Sequence, residues 1–510
     1  MPWIRPLLLT LQLMGLSVLV AAGIGITLAF AVSLIPRRRR AGSVVAGYCL
    51  ISMIACIATP MILHAAAWEA TAGKFGWLTF SQTASRTYTG LAGQYGGLVA
   101  CVWIHGLFGA SIVSLATYFG TSRIDRSVID QSRLDGGPIW TWWTIRLPLA
   151  APWVATGLLA TAVLAATEMT VVDLYGVRTL ADEFYLFYAA QPSIASIMMV
   201  LVLPIVLVIA LVCSVLFARR RRVETRLLDQ IGDEECDSDS SRATTLIASL
   251  VASVIATLMF AFPLAGLVLK TGQRVTVSTE PDQMTTIRWS LGHALEVLAS
   301  APAEFSQEYQ WTALLAACAA AVCLPTGWAL ASLTRVRPRL GRVVQFASLL
   351  IFLIPGPIVG LAVVHFFSLP VPGMHTLYHQ TLLPTVLALL VRAFPISYWI
   401  MSAGYAGIDT QILDVSRIDF SWARRMWKVD RPLLAKPLLI AAFASAVMAS
   451  GDVPVTLPVL PPGVVTVGTR LFALLHSGAR NQEAALAFWY VSCIVLTAFA
   501  LSFHWKRSRQ

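Results

Sequence analysis

The segment DQSRLDGGPIWTWWTIRLP (130–148) returns without gaps as DVSRIDFSWARRMWKVDRP (414–432), at an offset of 284 residues. The identical pairs are Asp130/Asp414, Ser132/Ser416, Arg133/Arg417, Asp135/Asp419, Trp143/Trp427 and Pro148/Pro432. Both copies are polar stretches that lie between long apolar runs. An ordinary connector has no reason to repeat Ser-Arg-[Leu/Ile]-Asp at one register. The repeat therefore indicates that the chain has two related halves.

The apolar runs around these segments place the chain in the membrane class. Of its 510 residues, 57% are hydrophobic and only 12% are charged, whereas a soluble protein carries about 25% charged residues. A run of about 20 apolar residues is long enough to cross a bilayer as a helix. We therefore predict an all-α polytopic membrane protein with about eleven spans, near 8–35, 44–68, 94–119, 150–172, 194–218, 245–269, 311–333, 343–368, 381–404, 438–460 and 484–505.

The basic residues give an orientation for these spans. The net charge is +11, and 27 of the 37 Lys and Arg residues lie in alternate loops, beginning with 37–43. Because cytoplasmic loops are enriched in Lys and Arg, these loops are predicted to face the cytoplasm. The N-terminus and the segment 271–310 are then predicted to lie outside. The basic excess is thus explained by topology, and no nucleic-acid partner is expected.

The division into halves follows from the same pattern. Residues 223–243 are acidic and rich in Ser, which is typical of a flexible linker. We predict a first repeat at 1–222, a cytoplasmic linker at 223–243 and a second repeat at 244–510, with five to six transmembrane helices in each repeat. Six predicted spans separate the two similar loops, so both loops face the same side and the repeats are parallel. The first repeat lacks a counterpart of the span near 245–269.

The two loops carry the strongest functional signal. The chain resembles the permease subunits of binding-protein-dependent ABC importers, whose cytoplasmic loop runs Glu-Ala-Ala, three residues, Gly, and then about nine residues to Ile-x-Leu-Pro. Asp130-Gln131-Ser132 corresponds to the start of that motif, Gly136 to its Gly, and Ile145–Pro148 to its end. The arrangement of two halves in one polypeptide resembles the iron(III) and thiamine permeases most.

The resemblance implies a role for the repeated residues. In the family this loop forms a coupling helix that sits in a groove of a cytoplasmic ATPase, and an external binding protein delivers the substrate. The residues carried over as ATPase-coupling are Asp130, Ser132, Arg133, Leu134, Asp135, Gly136, Asp414, Ser416, Arg417, Ile418, Asp419 and Phe420. Leu134 is expected to form an apolar knob on a short helix that ends at glycine. The family also implies a multi-pass protein of the bacterial inner membrane with no cofactor, and an ATPase homodimer as partner.

This sequence departs from the family motif at several positions. Both loops begin with Asp instead of Glu, and both are one residue shorter than the usual spacing. The second loop has Phe420 where the motif has glycine, and Arg431 precedes its Pro432. Glycine suits a turn because a positive φ costs it little. The second loop is therefore expected either to turn differently or to dock less tightly.

Two acidic residues share the offset of the repeated loops. Glu168 and Asp452 each lie 20 residues after the proline that ends their loop. Twenty helical residues span about 30 Å, so both could be solvated helix ends at the far interface. An ionisable residue inside a span is instead a candidate gate or pore-lining group. Both interpretations stay open, and Arg392 is the other charge inside a predicted span.

Other classes of protein have weaker support. The chain has no G-x-x-x-x-G-K-[ST] segment, so ATP hydrolysis is assigned to a separate subunit. His375 and His379 lack a third ligand nearby, and the eight cysteines form no C-x-x-C pair, so no metal site is expected. An ion-coupled secondary transporter is the alternative, but it would place several charges in mid-span. A membrane-embedded enzyme would need a cluster of His, Asp or Glu at one face. The substrate stays open among iron(III), thiamine, phosphonates, polyamines, sulfate and molybdate.

Overall fold

Long helices make up almost all of the described chain, because a backbone inside a bilayer must satisfy its own hydrogen bonds. A computed structural model describes residues 3–36, 40–73, 91–124, 126–188, 193–220, 241–277, 285–477 and 480–507. The helices of the first part are α1 Ile4–Ser33, α2 Arg40–Ala58, α3 Met61–Ala72, α4 Leu91–Thr121, α5 Arg126–Thr141, α6 Leu147–Thr167, α7 Thr170–Leu174, α8 Leu180–Glu183 and α9 Ile194–Arg220.

The remaining helices follow the linker. They are α10 Arg242–Ala256, α11 Phe262–Thr271, α12 Leu291–Glu304, α13 Ser306–Val336, α14 Pro338–Phe352, α15 Gly356–Phe367, α16 Met374–Gln380, α17 Leu383–Ala406, α18 Thr410–Asp419, α19 Trp422–Arg425, α20 Arg431–Leu433, α21 Ala435–Gly451, α22 Val453–Thr456, α23 Val467–Ser477 and α24 Arg480–Arg507. Strands β1 (Gln273–Val277) and β2 (Thr285–Trp289) pair antiparallel as a hairpin. Four π-helical turns are Trp142–Arg146, Phe184–Tyr188, Thr257–Ala261 and Met426–Asp430.

The predicted all-α polytopic class is confirmed. Among the described residues, seven helices are long and apolar enough to cross a membrane, or nine if each of two bent pairs counts as one span. The two other predicted spans, near 194–218 and 484–505, fall on α9 and α24. Every predicted span thus coincides with a helix or a broken pair of helices. The chain is a multi-pass membrane protein.

Two of the helix breaks occur at prolines, Pro60 and Pro355. The α2 helix ends at Ala58 and α3 begins after Pro60. The α14 and α15 helices meet at Pro355 with a bend of 97°. Proline removes a backbone donor and clashes with the preceding turn, so a helix ends there. Breaks of this kind free carbonyl groups that the protein must satisfy elsewhere.

The chain divides into two compact units. Unit 1 contains Met1–Arg222, Glu235–Tyr309 and Val465–Val495, and unit 2 consists mainly of Gln310–Val464. In unit 1, α1, α4 and α6 pack together through small residues. A Cβ on Gly25 would lie 2.8 Å from the Ala110 carbonyl oxygen, so glycine allows these helices to approach closely. In unit 2, α17 packs against α21 and α14, and α15 packs against α22.

The first span after the linker packs within unit 1. Its helix α10 contacts α1 and α2, and α11 contacts α3. The Tyr48 hydroxyl lies 2.8 Å from the Thr257 hydroxyl, and the Trp68 and Phe262 rings are 6.1 Å apart. The predicted span near 245–269, which has no counterpart in the predicted first repeat, therefore packs on α1, α2 and α3. The repeats 1–222 and 244–510 stay a prediction, because the units are defined by contacts and the repeats by internal similarity.

Candidate coupling loops and buried ion pairs

The first repeated loop forms one helix with a sharp break. Helix α5 runs from Arg126 to Thr141, and Gly137 interrupts it with φ 73° and ψ 177°. The left-handed residue is therefore Gly137, one position later than Gly136, to which the family motif assigned the turn. Gly136 keeps a different constraint, since a Cβ there would lie 2.3 Å from the Trp140 ring. Adjacent glycines left the position of the turn undecided in the sequence.

The second loop turns without a left-handed residue. Helix α18 begins after Asp409, whose side chain accepts a hydrogen bond from the Gln411 backbone N–H at 2.9 Å. It ends at Asp419, and Phe420 follows in an extended conformation with φ −131° and ψ 138°. An extended residue accommodates a bulky side chain without strain. The second loop therefore turns differently from the first, and how tightly it docks stays a prediction.

The loops share one side-chain pattern in three dimensions. Ser132 and Ser416 are both 6% exposed and anchor one side of each helix. Leu134 and Ile418 are 87% and 85% exposed. An apolar side chain in this position forgoes the favourable free energy of burial. We call these two exposed side chains the knobs. Asp135 and Asp419 are exposed beside them. A large apolar side chain held in water at the same place in both loops is a feature suited to a partner's pocket.

The arginines of both motifs are paired within their own helix. Arg133 lies 3.8 Å from the Asp130 carboxylate, and Arg417 lies 2.9 Å from that of Asp414. Residues three apart on a helix are neighbours, so such pairs form readily at its surface. In each loop the arginine is oriented by an acid at the motif's first position. The aspartate at the first position of each copy is thus the ion-pair partner of the arginine three residues later.

Aromatic packing fixes the first loop to its unit. The Trp142 side chain is buried, and its ring centroid lies 4.8 Å from that of Phe30 on α1. Trp143 lies 5.8 Å from the same ring. An Arg146 N–H group donates to the Thr121 carbonyl at the end of α4, at 3.4 Å. A displacement of this loop would therefore be transmitted to α1 and α4.

A buried polar network fixes the second loop. Asp430 is fully buried and accepts a hydrogen bond of 2.7 Å from the Tyr405 hydroxyl at the end of α17. Arg425 lies 3.7 Å from the same carboxylate, and the Trp328 indole N–H on α13 donates to Tyr405 at 3.1 Å. The loop is thus joined to two long helices. Sequence reasoning missed this network, since its members are up to about a hundred residues apart.

Glu168 and Asp452 lie at helix ends but are not solvated. Glu168 follows α6, its side chain is 10% exposed, and it accepts hydrogen bonds from the backbone N–H groups of Thr170 and Val171 at 2.7 and 2.9 Å. It therefore caps α7. The His105 Nε2 atom on α4 lies 3.5 Å from its second oxygen. The interpretation as a solvated helix end is wrong for this residue, and a gating role stays a prediction.

Asp452 is part of a tighter ion pair. Its side chain is 4% exposed, and the Arg392 Nε–H group donates to it at 2.9 Å. The same guanidinium donates to the Phe352 and Ile354 carbonyls, which the break between α14 and α15 leaves free. One arginine thus neutralises a buried acid and satisfies a broken helix. This explains the isolated charge inside the predicted span 381–404.

The described part of the chain contains no cluster of metal ligands. Among those residues there is no group of three His, Cys, Asp or Glu that could hold a metal ion. His375 and His379 lie on α16 with ring centroids 4.3 Å apart. They lack further ligands within the described ranges, so they give no reason to revise the sequence prediction.

One buried carboxyl group of unit 1, that of Asp182, has a pKa near neutrality. Burial, together with the neighbouring Asp173, raises the pKa of Asp182 on α8 to about 7, and Arg178 opposes this. The hydrogen bond from His476 to Asp173, 3.3 Å long, raises the pKa of this histidine above its usual value. These groups lie between the predicted spans. An acid with a raised pKa destabilises the fold as it ionises, and a histidine with a raised pKa loses its stabilising charge at high pH.

We therefore expect stability to fall as the pH rises. Both effects have the same sign. The Asp182 effect develops from about pH 4 to about pH 7, and the His476 effect above about pH 6.5. Thermal unfolding in detergent should show a lower Tm at about pH 8 than at about pH 5.5. Asp182→Asn should flatten this dependence, whereas Glu183→Gln, which removes only the smallest contribution to the raised pKa of Asp182, should change it much less. An equal dependence in wild type and Asp182→Asn would contradict the assignment.

Comparison with known proteins gives one informative similarity. No family model matches the chain. A stretch of 125 residues is 33% identical to the putative molybdenum transport system permease protein YvgM of Bacillus subtilis (strain 168). The match covers 23% of this chain and 52% of the relative, so the chain spans about half the length of the curated relative it matches. The similarity is to a transport permease and gives no support to iron(III) or thiamine.

Proposed function

We propose that this chain is the permease subunit of an ATP-driven ABC importer, in which one polypeptide supplies both halves of the translocation path. The observation that carries the proposal is the repeated pattern of a buried serine, a paired arginine and a knob more than four-fifths exposed. Two such helices suit two equivalent grooves, as a homodimeric ATPase would offer. The similarity to a transport permease supports the same class.

The proposed mechanism is mechanical coupling. Each knob fits a pocket of one ATPase subunit, so closure of the ATPase dimer on ATP moves the helix that carries the knob. The first loop transmits this motion to α1 and α4 through Trp142 and Arg146. The second transmits it to α13 and α17 through Tyr405 and Asp430. The chain itself carries no chemistry of ATP hydrolysis in this scheme, and it needs no cofactor.

The substrate proposal follows the relative's name. Molybdenum, supplied as molybdate, is the first solute to test, because the similar permease is named for molybdenum transport. A separate external binding protein would deliver it. Iron(III) and thiamine, toward which the fused layout pointed, belong in the same screen. The site of action proposed is the bacterial inner membrane.

Charge reversal at the coupling helices tests the assignment. Asp135→Arg together with Asp419→Arg reverses one charge in each of the two expected interfaces, and a juxtaposition of like charges costs several kcal/mol. We expect uptake and recovery of the ATPase on co-purification to be lost, while the protein still inserts in the membrane. Asp409→Asn, at an acid outside the motif, is the control. Full ATPase recovery by the double variant would overturn the proposal.

An ion-coupled secondary transporter is the competing function. It would transport without any ATPase and would respond to a proton or sodium gradient. Uptake into vesicles that contain the chain alone, with an imposed gradient and no ATP, would favour that class. Uptake that requires both the ATPase and ATP would exclude it. The buried ion pairs alone do not favour it, since Arg392 is already neutralised by Asp452.

A further inference from the structure

Helix α12 is not one of the predicted spans, and its surface has three chemically different faces. An apolar exposed face carries Leu291, Leu295, Ala299 and Pro302. An exposed polar face carries Glu296, Ser300 and Glu304. Ala294 and Ala301 are buried on the third face, which packs on the protein. At 100° per residue these sets occupy separate arcs of the helix. The exposed surface of α12 is therefore divided into an apolar face and a polar face, in addition to the buried face.

The start of this helix lies level with the end of a span. The span formed by α10 and α11 ends at Thr271. The Ser290 backbone N–H, at the N-cap of α12, donates to the Gly272 carbonyl at 2.9 Å. The Trp289 indole N–H donates to the Leu269 carbonyl in the last turn of the span, at 3.0 Å. These bonds place the beginning of α12 where the hydrocarbon core gives way to the headgroups.

The direction of α12 follows from its contacts with α24. His293, near one end of α12, lies 3.1 Å from Asn481, and Glu304, at the other end, accepts a hydrogen bond of 2.8 Å from Gln482. Eleven residues of helix extend about 17 Å, whereas Asn481 and Gln482 are consecutive. Helix α12 therefore crosses the beginning of α24. Because α24 covers the predicted span 484–505, α12 lies along the membrane plane.

We propose that the apolar face of α12 lies in the interfacial layer of the lipid bilayer, as an in-plane helix beside the span that precedes it. Trp289 is 51% exposed beside the last turn of that span, and tryptophan is enriched at this depth because its ring is apolar and its N–H is polar. Such helices insert about 5–10 Å into the interface.

The charges on α12 indicate whether its association with the bilayer needs anionic lipids. Its exposed polar face carries two glutamates and no Lys or Arg. The helix itself therefore offers anionic headgroups no attraction. Arg274 of β1 lies 3.9 Å from the Glu296 carboxylate, which offsets the charge of that arginine. Apolar burial of the leucines drives the insertion instead. The association should be independent of anionic lipid content, unlike that of most basic amphipathic helices.

Site-directed spin labelling of the full chain in nanodiscs tests this proposal. Leu291→Cys and Leu295→Cys report on the apolar face, and Glu296→Cys and Ser300→Cys are matched controls on the polar face. Cys213, Cys236, Cys318 and Cys493 are replaced first, and the buried Cys49, Cys56, Cys101 and Cys323 are retained. We expect labels at 291 and 295 to be accessible to oxygen and shielded from a water-soluble nickel chelate. Labels at 296 and 300 should show the reverse.

Two results would overturn the proposal. Equal access of the nickel chelate to all four labels would show that the apolar face lies in water. Shielding of 291 and 295 from both reagents would show that protein covers it, as expected for a docked binding protein or a second copy of the chain.

The pattern should be the same in phosphatidylcholine discs with and without phosphatidylglycerol. A depth that requires the anionic lipid would contradict the charge argument. None of these readouts depends on ATP or on the transported solute.

Discussion

Replacing both exposed knobs by aspartate, Leu134→Asp with Ile418→Asp, is expected to abolish ATPase binding and uptake without lowering the stability of the chain. Each knob is more than four-fifths exposed, so it contributes almost nothing to packing within the fold. In a complex it would be a central apolar anchor. Loss of such an anchor costs about 2–4 kcal/mol, which is roughly 30- to 1000-fold in affinity at each site. The measurement is ATPase recovery on co-purification together with Tm.

The controls separate binding from folding. Leu134→Met with Ile418→Val keeps the apolar character and should retain the ATPase and uptake. The single aspartate variants should each weaken recovery, and the double variant should lose it. A fall in Tm or in membrane abundance for the aspartate variants would show that the knobs stabilise this chain instead. Unchanged ATPase recovery in the double aspartate variant would remove the main support for the importer assignment.

The class of the fold and the place of the two loops could be predicted because their signals are local. A run of about twenty apolar residues is visible in any window, and Leu134 with Ile418 stood out because the motif around them occurs twice. The position of the turn could not be predicted so closely. Two adjacent glycines are equally able to adopt a positive φ. In the structure Gly137 adopts it, and Gly136 lies against the Trp140 ring.

The partners of buried charges were not predictable, because they come from distant parts of the chain. Asp430 and its aligned residue Arg146 have opposite charges. Comparison of the two loops therefore gave no indication that Asp430 anchors the second loop. Arg392 was visible as a charge in a span, but its link to Asp452 depends on how α17 and α21 pack. Helix length alone placed Asp452 at an interface, whereas the structure encloses that helix end within unit 2.

Removal of the Arg392 side chain is expected to be the most destabilising single change in unit 2. Arg392→Met would leave the Asp452 carboxylate, 4% exposed, without its cation, and would leave the Phe352 and Ile354 carbonyls without a donor. Loss of one member of a buried ion pair costs about 3–5 kcal/mol. We therefore expect a large fall in Tm in detergent and reduced membrane abundance. Because Arg392 donates to three groups, Arg392→Lys should recover only part of the stability.

A double-mutant cycle distinguishes this pair from an ordinary salt bridge. Asp452→Leu added to Arg392→Met removes the uncompensated charge, so the double variant should be more stable than Arg392→Met alone, with a coupling energy of about 0.5–3 kcal/mol. The matched control is Arg417→Met, which breaks a pair of the same 2.9 Å length at an exposed site and should cost about 1 kcal/mol or less. Equal effects of Arg392→Met and Arg417→Met on Tm would refute the role of Arg392. Arg392 differs from Arg417 in its burial and in the two carbonyl groups that it satisfies, and these differences are expected to make its loss more costly.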